Sequence, residues 1–128
     1  MKAFWLCLAI LAITATAQAQ QLTASWYSIE SLKAEGTYKY SKGVMANGQM
    51  FSDNGFTCAS WDYPLGTWLL VTNRKGGNNV IVRTTDRTAR RFKGRRIDLS
   101  KGAMEALGGR KALKEGLLLV KVEKVNED

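Results

Sequence analysis

Histidine is absent from this chain, proline occurs once and cysteine twice. The lack of histidine excludes Ser-His-Asp and Cys-His catalysis and the histidine-based metal-ligand sets, and neither a metal site nor a cofactor is expected. Cys7 falls in an N-terminal apolar run with the character of a leader, so Cys58 has no intramolecular partner and the fold must rest on packing. Flanked by Thr57 and Ala59, Cys58 is expected to be buried. No apolar run reaches the roughly 20 residues that a membrane-spanning helix requires. Acidic side chains are also scarce, 11 against 19 basic, for a net charge of +8. Such an excess suits a polyanionic partner such as a cell-wall polymer, an anionic lipid head group or nucleic acid. It also serves the solubility of a small protein.

Met1-Lys2, the apolar run Phe4 to Ile13 and the small-x-small site Ala17-Gln18-Ala19 have the order of a cleaved export signal. Residues 1–19 are therefore expected to be a signal peptide and residues 20–128 one domain, secreted or periplasmic within the cell envelope. Cys7 comes too early in the apolar run for a lipid anchor, and none is expected.

Short strand-like runs dominate residues 20–128. Thr23 to Ser28 reads as a first strand, Ile29 to Met45 as a polar surface loop, and Phe56 to Ala59 as a short buried strand. Asn47-Gly48 and Asn54-Gly55 are turn signals. Pro64 bends the chain into a strand over Trp68 to Thr72, and a loop over Asn73 to Asn78 returns it through Val80 to Thr84. The spacing predicts a helix over Lys101 to Leu107, capped by Ser100, with Ala103, Ala106 and Leu107 on one face and Gly108-Gly109 ending it. A final strand runs from Leu117 to Val125, with Leu118, Val120 and Val122 on one face. Many short strands, tight turns and one small helix predict a compact β-barrel.

The stretch richest in chemistry is Val80 to Ser100. A strand delivers Asp86 to the edge of a loop carrying Arg87, Arg90, Arg91, Lys93, Arg95 and Arg96. Asp86 could hold one of these arginines or cap a turn; equally, it could face a groove. Asp98, beside Ser100, reads more simply as a turn or capping residue. The aromatic and basic modules that recognise nucleic acid are missing, so nucleic acid is not the expected partner.

Seven short motifs occur in order: Ala24-Ser25-Trp26-Tyr27, Met45-Ala46-Asn47-Gly48, Phe56-Thr57-Cys58-Ala59-Ser60, Pro64-Leu65-Gly66-Thr67, Val71-Thr72-Asn73, Asp86-Arg87 and Arg96-Ile97-Asp98-Leu99-Ser100. Together they resemble a rare lipoprotein A-like (RlpA-like) domain, a six-stranded double-psi β-barrel related to expansins and barwin-like proteins. The resemblance implies a mainly β fold with one or two short helices. It also implies binding to peptidoglycan glycan strands and lytic transglycosylase cleavage of them, with other anionic wall polymers as further partners. Asp86 takes the place of the family's catalytic aspartate. Gln49 stands where active members have glutamate, and Ser60 where a histidine is expected. Gln49, Ser60, Trp61, Tyr63 and Arg87 are the substrate-binding candidates around Asp86. The two replacements keep a non-catalytic, expansin-like wall binder as the alternative.

One acid is chemically sufficient for the implied reaction. A hydrolytic glycosidase generally uses two carboxylates, because one must activate water or attack the sugar. In lytic transglycosylation the muramyl C6 hydroxyl attacks C1 itself. The group that protonates the departing oxygen can then take the hydroxyl proton.

Overall fold

A computed structural model describes residues 19–125. Apart from Ala19, the expected signal peptide lies outside the described residues. The chain forms a closed barrel of six strands in the spatial order β1-β5-β2-β4-β3-β6. These are β1 (Gln20–Tyr27), β2 (Thr57–Ala59), β3 (Trp68–Asn73), β4 (Asn79–Asp86), β5 (Arg96–Ser100) and β6 (Leu118–Lys124). β1 with β5 and β2 with β4 pair in parallel, while the other neighbours run antiparallel. This is the mixed, closed sheet of a double-psi β-barrel.

Alternation builds the core. Along β4, Val80, Val82 and Thr84 are buried while Asn79, Ile81 and Arg83 are exposed, as a strand with one wall in the barrel requires. Leu69, Val71, Ile97, Leu99, Val120 and Val122 fill the interior with Cys58. Burial pushes the Cys58 thiol up to about 12, so it stays protonated and behaves as a small apolar side chain.

The alternation breaks at the end of β4. Cys58 pairs with Thr84 but Ala59 pairs with Asp86, so Thr85 is an extra residue in β4. Such a bulge re-aims the residues beside it, here at the barrel mouth. Thr85 turns inward and Asp86, the last residue of the strand, is left half-buried at the rim.

Three α-helices are seen among the described residues, where the residues predicted one and the resemblance one or two. The predicted loop after β1 contains α1 (Ile29–Ala34) and α2 (Tyr38–Ser41). Neither buries a residue completely, so no apolar stripe announced them. The signal was local: Ser28 Oγ accepts from the Ser31 amide, and Ser31 Oγ accepts from the Ser28 amide, closing a capping box around α1. The third helix, α3 (Lys101–Glu115), is capped by Ser100 as expected but runs past Gly108-Gly109. Gly109 (φ 74°, ψ −172°) breaks its path, and Arg110 to Glu115 resume it until Gly116. Its buried residues are Ala103, Met104, Leu107 and, past the break, Ala112, whereas Ala106 is exposed.

Gly102 ties α3 to the cleft side of the molecule. Its amide donates to the Asp53 carbonyl at 2.8 Å, and a Cβ there would lie 2.9 Å from that same oxygen. Only glycine admits this approach, and the turn it holds lets Asp53 Oδ1 accept from the Ile29 amide at 2.8 Å. The start of α1 is thereby fixed. No helix among the described residues is long and apolar enough to cross a membrane.

Candidate active-site cleft

An open cleft of about 750 Å³ lies at the ends of β1 and β4 and beside the first half of β5, beneath α1, α2 and the loop after β4. Asp86 and Asp98 both line it, with Tyr27 and Ser25 from β1, Arg91 and Phe92 from the basic loop and Arg96 from the start of β5.

Asp86 is held by the groups around it. Its Oδ1 accepts from the Ala46 amide at 3.0 Å and from the Arg87 amide at 2.9 Å, and the Tyr27 hydroxyl donates to Oδ2 at 3.4 Å. The Ala46 amide reaches it because the Asn-Gly turn docks on the bulge, with the Asn47 amide donating to the Thr85 carbonyl at 3.1 Å. Tyr27 stacks on Phe51 with ring centroids 4.4 Å apart. Burial, and then the Asp86 charge, push its phenol well above the ordinary range, so it remains a donor.

Asp98 is in the cleft, not in a turn. It pairs with Ser25 across the parallel β1 and β5, and the Ser25 hydroxyl donates to its Oδ1. Burial raises the Asp98 carboxyl above the usual carboxylate range, against the Ser25 hydrogen bond and the Arg96 charge, while the Asp86 charge adds to the rise. Two carboxylates close enough to sense each other therefore share one cleft, and one of them is pressed toward its protonated form.

Of the expected substrate-binding residues, Arg87 alone joins Asp86 in the cleft wall. Its guanidinium is committed inward, Nη1 donating to the carbonyls of Ser60 at 2.7 Å and Tyr63 at 2.6 Å. Ser60 is completely buried. Its amide donates to the Asp86 carbonyl at 3.0 Å and its Oγ accepts from the Asp62 amide at 2.9 Å, so it braces the catalytic candidate from behind. Trp61 donates its indole N–H to the Thr88 carbonyl and lies under Arg87 and Arg90. Tyr63 packs on the core and donates to Gln20 Oε1 at 3.0 Å. Gln49 is exposed, with its Oε1 accepting from Asn47 Nδ2 at 2.9 Å. Trp61, Tyr63 and Ser60 thus form the frame that Arg87 clamps, and Gln49 belongs to the turn that supplies the Ala46 amide. None of these four lines the cleft. Among the described residues, no group of three His, Cys, Asp or Glu side chains is arranged to hold a metal ion.

A family model described as lytic transglycolase matches residues 19–122. The chain belongs to the lytic transglycolase family. Relatives of the same family include proteins named endolytic peptidoglycan transglycosylase RlpA. The one from Pasteurella multocida is 34% identical over 105 residues, covering 82% of this chain and 34% of that protein. That from Neisseria meningitidis is 36% identical over 103 residues, covering 80% and 37%, and that from Pseudomonas aeruginosa 38% over 104 residues, covering 81% and 27%. The chain spans about a third of the length of these relatives. Among solved structures, a Clavibacter michiganensis expansin in complex with cellohexaose aligns with a TM-score of 0.58 at 23% identity, over 87% of this chain and 52% of that one. A Streptomyces papain inhibitor aligns at 0.62 and 19%, over 85% and 96%. Both share the barrel.

Sequence reasoning missed Tyr27 and Ser25, and for Asp98 it favoured a turn or cap over the cleft. Each lies within one of the ordered motifs, Ala24-Ser25-Trp26-Tyr27 or Arg96-Ile97-Asp98-Leu99-Ser100, yet the two motifs are more than 60 positions apart. Parallel pairing in one register joins them, and a contact of that kind leaves no local pattern.

Proposed function

We propose that this domain binds peptidoglycan glycan strands in the cleft and cleaves them by lytic transglycosylation, with Asp86 as the acid and base. The observation that carries the proposal is Asp86 itself: a carboxylate at the rim of an open cleft, oriented by two backbone amides and a tyrosine, in a chain of the lytic transglycolase family. Asp86 gives its proton to the oxygen leaving muramyl C1, and the C1–O bond breaks with oxocarbenium character. The muramyl C6 hydroxyl then bonds to C1 and returns its proton to Asp86. No water is consumed, and the product ends in a 1,6-anhydromuramyl sugar. The enclosing hydrogen bonds hold the carboxylate in one direction, which contributes through positioning.

The burial of Asp98 favours a second arrangement, in which Asp98 delivers the proton and Asp86 accepts the one from C6. Separating two carboxyl groups by environment is how one site obtains an acid and a base. Export to the cell envelope and the use of other anionic wall polymers as partners belong to the same proposal. The alternative, an expansin-like binder that does not cleave, draws on the positions of Gln49 and Ser60, neither of which faces the cleft.

Incubation with purified glycan strands followed by mass spectrometry for anhydromuramyl ends tests the proposal. Formation of these ends by wild type and their loss in Asp86→Asn are expected. Retention of strands on the protein with no such ends from wild type would decide for the non-cleaving binder.

A further inference from the structure

Beyond the cleft, the start of β6 turns two leucines to the outside. Val120 and Val122 face the barrel interior, so alternation places Leu119 on the outer wall, and Leu117, two residues earlier, is turned outward as well. Leu117 is 50% exposed and Leu119 58%. Exposed leucines scattered singly are ordinary on a protein surface. These two share a surface with unpaired cations. With Asn73, Arg74 and Lys75 they border a shallow hollow of about 360 Å³, and Leu119 continues into a second of about 130 Å³ bordered by Gln21, Thr23, Arg74 and Arg95. No carboxylate lines either hollow. Glu115, the last residue of α3, lies outside both, and Glu123 is paired with Lys121 in the one ion pair among the described residues.

Backbone pairing fixes this arrangement. The Arg74 amide donates to the Leu119 carbonyl at 3.1 Å. Thr23 pairs with Leu119 across β1 and β6, and the Thr23 amide donates to the Arg95 carbonyl at 3.1 Å. Leu119 is therefore flanked by Arg74 on one side and, beyond Thr23, by Arg95 on the other. Asn73 anchors the hairpin that carries Arg74 and Lys75, its Nδ2 donating to the Leu107 carbonyl at 3.2 Å and its Oδ1 accepting from the Lys75 amide at 2.9 Å.

Apolar side chains ringed by cations suit a lipid surface with anionic head groups. Leucines enter the boundary between head groups and acyl chains, while guanidinium and ammonium groups stay at the level of the phosphates. A second copy of the chain, docked by two-fold symmetry, would set Arg74, Lys75 and Arg95 against their own equivalents. A nucleic acid strand would find no aromatic face here on which to stack its bases, and a soluble phosphate polymer has no use for the leucines.

We propose that Leu117 and Leu119, with Arg74, Lys75 and Arg95, form a docking surface for an anionic phospholipid membrane. One row of the sheet joins this surface to the cleft, since Arg96 pairs with Thr23 and Thr23 with Leu119. Docking on this wall holds the cleft beside the lipid surface, and it does not depend on whether the cleft cleaves glycan.

The test measures binding to vesicles of phosphatidylcholine, with and without phosphatidylglycerol, by co-sedimentation. Residues 20–128, which contain every strand of the closed barrel, are used so that the apolar run Phe4 to Ile13 does not contribute. Affinity is expected to rise on the order of a hundredfold with phosphatidylglycerol, about fivefold for each of three cations, and to fall as salt is raised. Arg74→Gln/Arg95→Gln is expected to remove most of that preference. Leu117→Ser/Leu119→Ser, with an unchanged melting transition, is expected to weaken binding to the anionic vesicles about tenfold. Equal affinity for the two vesicles, or a leucine variant that binds as wild type does, would overturn the docking surface. A dimer in sedimentation equilibrium that the leucine substitutions dissociate would assign the wall to a second copy instead. Displacement of the protein from the vesicles by poly(glycerol phosphate) at equal phosphate concentration would reduce it to a general polyanion site and overturn the assignment to lipid.

Discussion

The barrel brings a carboxylate to the cleft twice, from two parallel strand pairs that solve the problem differently. Where β1 runs beside β5, the ladder is regular, and Asp98 sits inside it opposite Ser25. Where β2 runs beside β4, the ladder slips by one residue, and Asp86 emerges at the strand end among backbone amides. Regular pairing therefore buries a carboxyl and presses it toward the neutral form. A bulge at the mouth presents one to the cleft and surrounds it with donors. Two chemically identical side chains acquire different environments from the geometry of the strand that carries each.

The sharpest test of that contrast removes each carboxylate in turn. Asp86→Asn is expected to lower anhydromuramyl formation by at least about a hundredfold, the usual scale of a lost acid or base, with the barrel intact by circular dichroism. Asp98→Asn is expected to cost less, about tenfold, if Asp86 serves as both acid and base. Equal losses from the two variants would assign the proton delivery to Asp98. The pH dependence of stability supplies an independent reading. The folded pKa of Asp98 lies above its ordinary value of 3.8, so its stabilising contribution is complete below that value and is lost as pH rises through the folded one. Relative to wild type, Asp98→Asn should therefore gain in melting temperature, on the order of a few degrees, between about pH 3 and neutrality. A constant difference across that range would mean that Asp98 is not penalised by burial.

Smaller effects probe the surroundings of Asp86. Tyr27→Phe keeps the stack on Phe51 but removes the donor to Oδ2, and its cost is expected to be about 1 kcal/mol, a severalfold fall in kcat with little change in KM. A larger rise in KM would place the hydroxyl on substrate instead. The smallest effect is expected from Gln49→Ala, within about 0.5 kcal/mol in thermal stability, because the side chain is exposed and bonded only within its own turn. A loss of cleavage comparable to that of Asp86→Asn would return Gln49 to the cleft.

Five of the six strands were legible because alternation is local: Val80, Val82 and Thr84 state which side of β4 faces the interior without reference to any other strand, whereas β5 was hidden behind the basic loop and Asp98 was read as a turn or cap. The short helices α1 and α2 were not, since helices that bury nothing completely leave no apolar period. Gly108-Gly109 correctly marked a break in α3, but a single left-handed residue can kink a helix that its neighbours then continue. Asp86 was legible as an address, the end of an apolar strand before a basic loop. Ser60 was read as a groove residue from its place in the family motif and Tyr63 from its position just after it, and their carbonyls' role as acceptors for Arg87 depends on how two loops meet.

By itself the sequence determined five of the six strands, the basic loop, the capping of α3 by Ser100 and the ordered motifs of an RlpA-like barrel, because each is written in residues a few positions apart. Tertiary structure alone decided that Asp98 shares the cleft with Asp86, that Tyr27 donates to Asp86, and that Arg87 turns inward while Arg91 and Arg96 remain at the cleft. The physical reason is that register between distant strands, one slipped residue at Thr85, and the competition of backbone carbonyls for a guanidinium are all settled only when the barrel closes.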